Sequence, residues 1–137
     1  MIPPSEREDI LCSMFESFCI TDSMRKYTDS PMWNAGLNQK IWALYLRDGD
    51  HGMEQYAAPL LACDFSDLPP AYVDAEEFDC LHDEGIAFAK TLEEAGVEVQ
   101  VEDVKGTFHG FDFFDEKEIA KAMAEKRIKA LRDAFHR

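Results

Sequence analysis

Residues 97–102 alternate strictly between valine and a polar side chain, reading Val-Glu-Val-Gln-Val-Glu. A period of two is typical of a β-strand that has one buried and one solvent-exposed face, as an edge strand can have. Segments with helical periodicity lie on both sides of it, so strands and helices alternate along the chain. This alternation predicts an α/β fold with a mostly parallel sheet, in which functional groups gather beyond the carboxyl ends of the strands.

Two further segments have the character of strands. Residues 10–15 form a short, nearly continuous apolar run, the pattern of a strand buried on both faces. Residues 71–75 follow two prolines and lead into an acidic turn, which gives a weaker strand pattern. We therefore expect about three mostly parallel strands with flanking helices. They would form one partial domain over residues 1–137, with a connecting or cap region at about 21–66.

Three helices are predicted between and after these strands. The first is capped by Asn34 or Asn38 and closes at Gly49 and Gly52. The second begins at Asp83 as its N-cap and ends at Gly96, and the third covers residues 116–135. Their apolar positions recur at helical spacing: Ile41, Trp42, Tyr45 and Leu46; Phe88, Leu92 and Ala95; Ala120, Ala124, Ile128, Leu131 and Phe135.

The charge of the chain argues against two classes of partner. Asp and Glu total 28 against 14 Lys and Arg, which gives a net charge of -14. A surface of this sign repels nucleic-acid phosphates and anionic lipid headgroups, so we expect neither nucleic acid nor membrane as a partner. No segment has the roughly 20 apolar residues of a membrane span or the pattern of a secretory leader. The expectation is a soluble, cytoplasmic protein.

The cysteines do not predict a metal or redox centre. Cys12, Cys19, Cys63 and Cys80 include no C-x-x-C pair, the spacing that zinc and thioredoxin-like sites most often show. Cys80 and His82 are close in sequence, but two ligands without a second cluster make a poor metal site. We expect reduced thiols, no metal and no cofactor.

Asp79 and His109 each follow a predicted strand by a few residues, so neighbouring strands could bring their side chains together. A carboxylate and an imidazole are the acid and the base that a serine hydrolase uses to activate its nucleophile. The alternative is structural, with Asp79 capping a turn and His109 lying in a flexible His-Gly loop. Position at the strand ends does not by itself decide between the two.

Five segments carry a common pattern: residues 68–71 (L-P-P-A), 77–85 (E-F-D-C-L-H-D-E-G) and 106–111 (G-T-F-H-G-F), and further upstream 29–34 (D-S-P-M-W-N) and 56–61 (Y-A-A-P-L-L). They resemble the C-terminal part of the hormone-sensitive-lipase-like esterases of the α/β-hydrolase superfamily. In that family a D-P-L-x-D-E-G segment holds the acid of the catalytic triad, and a later F-H-G-F segment holds the base. The order and spacing agree over nearly the whole chain.

The resemblance implies that Asp79 is the triad acid and His109 the base, with Asp83 and Glu84 supporting the turn and the following helix. It also implies a small-molecule ester as substrate, no cofactor, and dimers formed through the edge strand at residues 97–104. The chain departs from the family pattern in a few places. Cys80 stands where the family usually has proline, and residues 74 and 76 are acidic where the family is commonly uncharged.

The nucleophile is the part of the triad that the sequence lacks. No serine lies in a G-x-S-x-G elbow, and no H-G-G-G loop is present to form an oxyanion hole. Of the remaining serines, Ser13 and Ser17 are the least unsuitable replacements, followed by Ser5, Ser23, Ser30 and Ser66. Because the elbow precedes the acid and the base in these enzymes, we expect the missing part to belong before Met1 and this chain to be inactive alone.

Two hypotheses remain open. The first is the C-terminal part of a serine carboxylic-ester hydrolase, in which Met24, Trp33 and residues 41–46 line an acyl or alcohol pocket. The second is a non-enzymatic interaction module that pairs with another copy of itself or with a separate N-terminal half. A sheet cut through its middle exposes a strand edge and apolar faces, and such surfaces favour homo-oligomers. A cysteine-based metal or redox protein is a third and weaker alternative.

Overall fold

The computed structural model describes residues 21–49, 52–114 and 117–136. The predicted strand at residues 10–15 lies outside these ranges, as do Ser5, Ser13 and Ser17. The helices and strands follow in this order: α1 (Asp22–Lys26), α2 (Ala35–Tyr45), α3 (Glu54–Ala57), a 3-10 turn (Pro59–Leu61), β1 (Ala71–Glu76), α4 (His82–Glu94), β2 (Val99–Val104), a second 3-10 turn (Phe111–Phe113) and α5 (Glu118–Phe135).

The two strands form a parallel pair that is connected through α4. Their register places Ala71 opposite Val99 and Glu76 opposite Val104. Within the described residues each strand has the other as its one neighbour, so one edge of β1 and one edge of β2 have no strand beside them. This arrangement confirms the predicted α/β class and brings both carboxyl strand ends to one edge of the sheet.

Helix α2 begins where its sequence predicted. The Asn34 carboxamide oxygen accepts the Leu37 N–H at 3.0 Å, which makes Asn34 the N-cap. Asn38 lies inside the helix instead, only 4% exposed. Its amide contacts the Met24 sulfur, and its oxygen accepts the Trp33 indole N–H at 3.2 Å. Of the two candidate caps, Asn34 is therefore the one that the structure uses.

The predicted N-cap of α4 is wrong. The helix begins at His82 after Leu81, which makes no side-chain cap bond, and Asp83 lies within the first turn. The reason is that other side chains bind the free N–H groups at this end. The Asp79 carboxylate accepts the Leu81 N–H at 2.9 Å, and the Ser23 hydroxyl accepts the Asp83 N–H at 3.2 Å. A tertiary contact from α1 replaces the local cap.

The C-terminal end of α4 agrees with its sequence. Gly96 has a φ of 85°, and its N–H donates to the Glu93 carbonyl at 2.9 Å. The Val97 N–H donates to the Leu92 carbonyl at 3.0 Å. These two bonds make a Schellman motif, which requires a left-handed residue where the glycine stands. Val97 consequently belongs to the helix stop, and β2 begins two residues later than the alternating pattern does.

The face that α5 buries is not the one its apolar stripe predicted. Ala120 and Met123 are buried and pack with Val104 and Phe111, but Ile128, Leu131 and Phe135 are 54%, 58% and 82% exposed. Ala124 is also exposed. The rotation of the helix follows from an ion pair that periodicity does not reveal. Arg127 donates to both Asp74 of β1 and Asp112, so the face that carries Ala120, Met123 and Arg127 turns inward.

The polar segment at 21–30 contains a helix that the sequence analysis missed. The Thr21 hydroxyl accepts the Met24 N–H at 3.2 Å and caps the single turn of α1. The segment at 56–70 is irregular as expected apart from α3 and the first 3-10 turn. None of the helices in residues 21–49, 52–114 and 117–136 combines the length and the apolar character that a bilayer span needs.

Candidate active site

The turns that follow β1 and β2 lie side by side and are joined by three hydrogen bonds. The Glu77 N–H donates to the Val104 carbonyl at 3.1 Å, and the Phe78 N–H donates to the Thr107 carbonyl at 2.9 Å. In the other direction the Gly106 N–H donates to the Glu77 carboxylate at 2.8 Å. The positions of residues 79 and 109 are therefore set relative to each other by backbone contacts.

These turns bring the two predicted site residues into direct contact. One carboxylate oxygen of Asp79 lies 2.7 Å from His109 Nδ1, and the other accepts the Leu81 N–H at 2.9 Å. Asp79 is only 3% exposed, whereas the His109 side chain is 41% exposed. A carboxylate can only accept, so the proton of this bond lies on Nδ1, and in the neutral ring Nε2 has a free lone pair. No described residue forms a hydrogen bond to Nε2.

The His109 ring lies beside an aromatic ring and is followed by a glycine in the left-handed conformation. The Trp33 ring lies with its centroid 5.8 Å away at an interplanar angle of 32°. Gly110 follows with a φ of 71°, and a Cβ added there would come within 3.0 Å of the Phe113 ring. Glycine is therefore needed directly after the histidine, both for its backbone conformation and for space. This gives the His-Gly pair a physical reason, since glycine fits both the backbone conformation and the approach of the Phe113 ring.

A cavity of about 620 Å³ opens beside this pair. Its walls include Asp79, His109, Trp33, four residues of α2 and three residues of β1: Asn38, Ile41, Trp42, Tyr45, Asp74, Ala75 and Glu76. Of the predicted pocket residues at 41–46, Ile41, Trp42 and Tyr45 are found at the cavity, but Leu46 and Met24 are not. Met24 is 3% exposed and packs under α2 against Asn38, so its assignment to the pocket is corrected.

Glu84 adds a titratable group to the same cavity. Its Oε1 atom is buried and has no hydrogen-bond partner among the described residues. Burial, followed by the negative charges of Asp79 and Asp83, raises the pKa of the Glu84 carboxyl to about 7. Burial also raises the pKa of Glu76 on the adjacent strand edge, and nearby carboxylates add to the effect. The cavity therefore holds carboxyl groups that take up protons more readily than exposed ones.

The serines that the structure describes have other partners. Ser23 is buried and donates to the Cys80 carbonyl at 2.8 Å, and Ser30 donates to the Phe78 carbonyl at 2.9 Å. Ser66 donates to Asp64 at 2.6 Å on the surface. Ser23 and Ser30 thus hold the turn that carries Asp79 in place. None of the three donates its hydroxyl proton to His109.

The structure describes two free cysteines, Cys63 and Cys80. Cys80 is fully buried, and burial together with the neighbouring Asp79 raises the pKa of its thiol to about 12. Its thiol is protonated at neutral pH, unlike the low-pKa thiolate of a nucleophilic cysteine. Cys63 is exposed. The part of the chain that the structure describes contains no group of three or more potential metal ligands.

The sequence analysis did not identify His82 as a residue that stabilises these turns. His82 places Nδ1 at 2.9 Å from Asp83 and Nε2 at 3.2 Å from Asp103. Burial lowers the pKa of His82, but the two carboxylate contacts outweigh it and raise the pKa above its usual value. The adjacency of His82 and Asp83 is visible in the sequence. The contact with Asp103 depends on the strand register, which the sequence does not reveal.

Comparison with known proteins points to one family. A family model described as the alpha/beta hydrolase fold matches residues 10–113. The chain is 30% identical to an ethyl acetate hydrolase of Pseudomonas putida over 96 residues, which cover 70% of this chain. It is 31% identical to carboxylesterase NlhH of Mycobacterium tuberculosis over 118 residues, which cover 83% of this chain. The solved structure of a bacterial heroin esterase matches with a TM-score of 0.78 and 34% identity over 84% of this chain.

The chain spans only about a third of the length of these relatives. The matched region covers 30% of the ethyl acetate hydrolase, 37% of carboxylesterase NlhH and 38% of the heroin esterase. Comparable partial coverage recurs in other esterase structures, such as one from the archaeon Pyrobaculum calidifontis, with a TM-score of 0.75 and 28% identity. The similarity is therefore to one part of the fold of each relative.

Proposed function

The chain belongs to the hormone-sensitive-lipase-like esterases of the α/β-hydrolase fold, and we propose that it supplies the acid and the base of a carboxylic-ester hydrolase. In this proposal Asp79 is the acid and His109 is the base. The substrate is a small-molecule ester, and no cofactor takes part. The nucleophilic serine and the oxyanion loop come from a complementing N-terminal half.

The contact between Asp79 and His109 is the observation that carries the proposal. The bond of 2.7 Å joins a nearly fully buried carboxylate to an imidazole that is still accessible from the cavity. A purely structural pair would have no need to leave Nε2 accessible. A general base must instead keep one nitrogen free to reach the proton that it abstracts. The arrangement is the one that the acid and base of a serine hydrolase require.

The proposed reaction uses His109 twice. A serine hydroxyl attacks the ester carbonyl while Nε2 takes its proton, and Asp79 stabilises the imidazolium that forms. The tetrahedral intermediate then collapses, and the departing alcohol takes the proton from Nε2. Water then attacks the acyl-enzyme and gives a proton to Nε2, and as the ester bond to the serine breaks, the serine oxygen takes that proton back and the carboxylic acid is released. Asp79 remains ionised throughout and holds the ring with its proton on Nδ1.

The origin of the nucleophile is part of the proposal. The sequence contains no G-x-S-x-G elbow, and the described serines donate to carbonyl or carboxylate oxygens instead. The cavity is lined by His109 and by residues of β1. A complementing N-terminal half that carries the G-x-S-x-G elbow would place its serine near His109 Nε2. We therefore expect the chain to be inactive without such a half.

Hydrolysis of p-nitrophenyl acetate and butyrate tests the proposal. The full chain is assayed alone and after mixing with the N-terminal half of a related esterase that contains the G-x-S-x-G elbow. We expect no activity above background from the chain alone and measurable activity from the mixture. Mixtures made with His109→Ala should lose nearly all activity, because the group proposed to take the serine proton is removed.

The matched control is His136→Ala, which removes an exposed imidazole at the end of α5. This variant should retain the activity of the mixture. Activity of the chain alone that disappears in His109→Ala would contradict the claim that the nucleophile is supplied from elsewhere. Activity of the mixture that survives in His109→Ala would contradict the assignment of the base.

A second candidate function is an interaction module that pairs with another copy of this chain. Large apolar side chains on α2 and α5 favour this candidate, because surfaces of this kind mark sites of association. They are Ile41, Leu44, Tyr45, Ile128, Leu131 and Phe135, all more than 40% exposed. Analytical ultracentrifugation distinguishes the two candidates. A stable homodimer that does not bind the N-terminal half would favour the module, and a monomer that binds the half would favour the esterase.

A further inference from the structure

His82 lies between two carboxylates that belong to different elements of the fold. Its Nδ1 is 2.9 Å from Asp83 in the first turn of α4, and its Nε2 is 3.2 Å from Asp103 near the end of β2. The His82 side chain is 19% exposed, so the ring is held between these partners rather than directed into solvent. Both ring nitrogens are engaged at the same time.

This geometry determines the charge of the ring. A neutral imidazole has one N–H donor and one acceptor nitrogen, and a carboxylate can only accept. A neutral His82 could therefore satisfy one of its two partners and would direct a lone pair at the other. Only the imidazolium form donates to both carboxylates. The two contacts together thus imply a cation at this position whenever both are formed.

The contacts join the two segments that carry the acid and the base. The His82 N–H donates to the Asp79 carbonyl at 3.2 Å, so His82 is attached directly to the acid turn. Asp103 lies on the strand that leads through Thr107 to His109. We propose that His82, as an imidazolium, is a positioning residue that holds the acid turn against the base loop, an inference that rests on the proposed function of Asp79 and His109. We refer to Asp83, His82 and Asp103 together as the carboxylate clasp.

The groups around the carboxylate clasp favour this charge state. Lys105 Nζ lies 2.9 Å from the carboxylate oxygen of Asp103 that His82 does not contact, and the Ser23 N–H donates to Asp83 at 2.8 Å. The negative charge of Asp83 raises the pKa of Lys26 in α1. The negative charge of Glu77 raises the pKa values of both Lys26 and Lys105. Both carboxylates therefore have other donors to hold them in the ionised form beside His82.

The titration behaviour of the three groups agrees with the geometry. The carboxylate contacts raise the pKa of His82 against the opposing effect of burial. The hydrogen bond from His82 is the main cause of the lowered pKa of Asp83, and Lys105 followed by His82 lowers the pKa of Asp103. The carboxylate clasp is consequently complete over a window of pH. It opens as the pH rises through the raised pKa of His82 and again as the pH falls through the lowered pKa values of the carboxylates.

The first test is an NMR titration of the histidine rings in the isotope-labelled full chain. We expect His82 to titrate above the ordinary value of about 6.5. Asp103→Asn should lower its midpoint by roughly 1 unit, because one charged acceptor is lost. The exposed His136 should be unaffected in the same spectra. A midpoint at or below 6.5 that does not change in Asp103→Asn would overturn the proposal.

The second test follows the Nδ1 proton of His109, whose downfield resonance reports the bond to Asp79. In the unmodified chain we expect this resonance to be sharp near pH 6 and to broaden at about pH 9, as His82 becomes neutral. His82→Gln should broaden it at both values. His82→Arg keeps a permanent cation with several donors, so this variant should hold the resonance sharp at about pH 9.

The arginine variant separates positioning from a merely structural role. If the resonance broadens equally with pH in His82→Arg and in the unmodified chain, the charge of residue 82 is irrelevant and the proposal fails. Neither test uses a substrate. An absence of esterase activity in the mixture of the two halves would therefore refute the proposed function, while the titration and the His109 resonance would still decide the role of His82.

Discussion

The two turns at the carboxyl end of the sheet are buried and hydrogen-bonded, whereas the outer faces of α2 and α5 are apolar and exposed. In the turns, Asp79, Cys80 and Thr107 are at most 3% exposed, and hydrogen bonds cross from one turn to the other. On the outer faces, Leu44 is 63% exposed and Phe135 is 82% exposed. Hydrogen bonds among the described residues thus join the two turns, whereas the apolar side chains on the outer faces are largely exposed.

This difference shows which properties the chain determines by itself. The distance between Asp79 and His109 depends on contacts within the described residues, so it should not need a second protein. The exposed apolar side chains gain stability only when something covers them. We therefore expect substitutions in the turns to act on chemistry and folding, and substitutions on the outer faces to act on association. Four predictions test this division.

The largest effect is expected for Asp79→Asn in the mixture of the two halves. Asparagine keeps the shape of the side chain, but its amide can donate to Nδ1 and favour the wrong tautomer of His109. We expect kcat for p-nitrophenyl butyrate to fall roughly 10³- to 10⁴-fold. Asp67→Asn is the control, because Asp67 is exposed with a φ of 63°, a conformation that asparagine tolerates. A loss below tenfold at Asp79 would contradict the assigned role.

Met123→Ala and Leu131→Ala compare the two faces of α5 directly. Met123 is 4% exposed and Leu131 is 58% exposed. Urea unfolding should show a loss of about 2–4 kcal/mol for Met123→Ala, which leaves a cavity in the core. Leu131→Ala should change the free energy of unfolding by less than about 0.5 kcal/mol. If Leu131→Ala is equally costly, and more so at high protein concentration, that face is covered by another copy in solution.

Gly110→Ala tests how tightly the base loop is packed. Gly110 and Gly49 both have positive φ values, 71° and 85°, but only Gly110 has a side chain within 4 Å of the Cβ position. Alanine at Gly49 should cost roughly 1 kcal/mol for its backbone conformation alone. At Gly110 the contact with Phe113 should bring the total to about 2 kcal/mol or more. Equal losses in thermal unfolding would show that the loop can relax.

The smallest effect concerns the pH dependence of Glu84. Its pKa is raised to about 7 in the folded chain, so the folded state holds this proton more tightly than the unfolded state does. Its contribution to stability is therefore greatest at low pH and is lost as the pH rises from about 4.5 to about 7. Glu84→Gln should remove this decline, which is worth about 1 kcal/mol after solvent screening. The free energy of unfolding is measured at several pH values in both chains. If it declines with pH as steeply in Glu84→Gln as in the unmodified chain, Glu84 is not responsible.

Much of the fold could be predicted because it depends on local patterns. The alternation before β2, the asparagine cap of α2 and the glycine stop of α4 are each determined by neighbours in sequence. The proximity of Asp79 and His109 was also predictable, since parallel strands place their carboxyl ends at one edge. Their identity as acid and base, however, came from the resemblance and stays a prediction.

The errors in prediction arose where distant contacts decide the local structure. The rotation of α5 is set by Arg127 reaching Asp74 and Asp112, which no helical stripe records. Asp83 does not cap α4, because Asp79 and Ser23 bind the N–H groups at that end. Local periodicity describes which residues are apolar, and it does not describe which of them a tertiary ion pair will turn towards the core.

The path from β1 to Gly110 contains the acid, the base and the backbone bonds that align them, all within residues 71–110. A recombination event that exchanged this short stretch between two relatives would therefore carry a pre-aligned acid–base pair into the recipient. The recipient would also need counterparts of Ser23 and Ser30, whose hydroxyls donate to the carbonyls of Cys80 and Phe78 in the acid turn. For protein engineers, residues 71–110 thus define a natural crossover block, whose boundaries fall in a proline-rich loop on one side and at a glycine on the other.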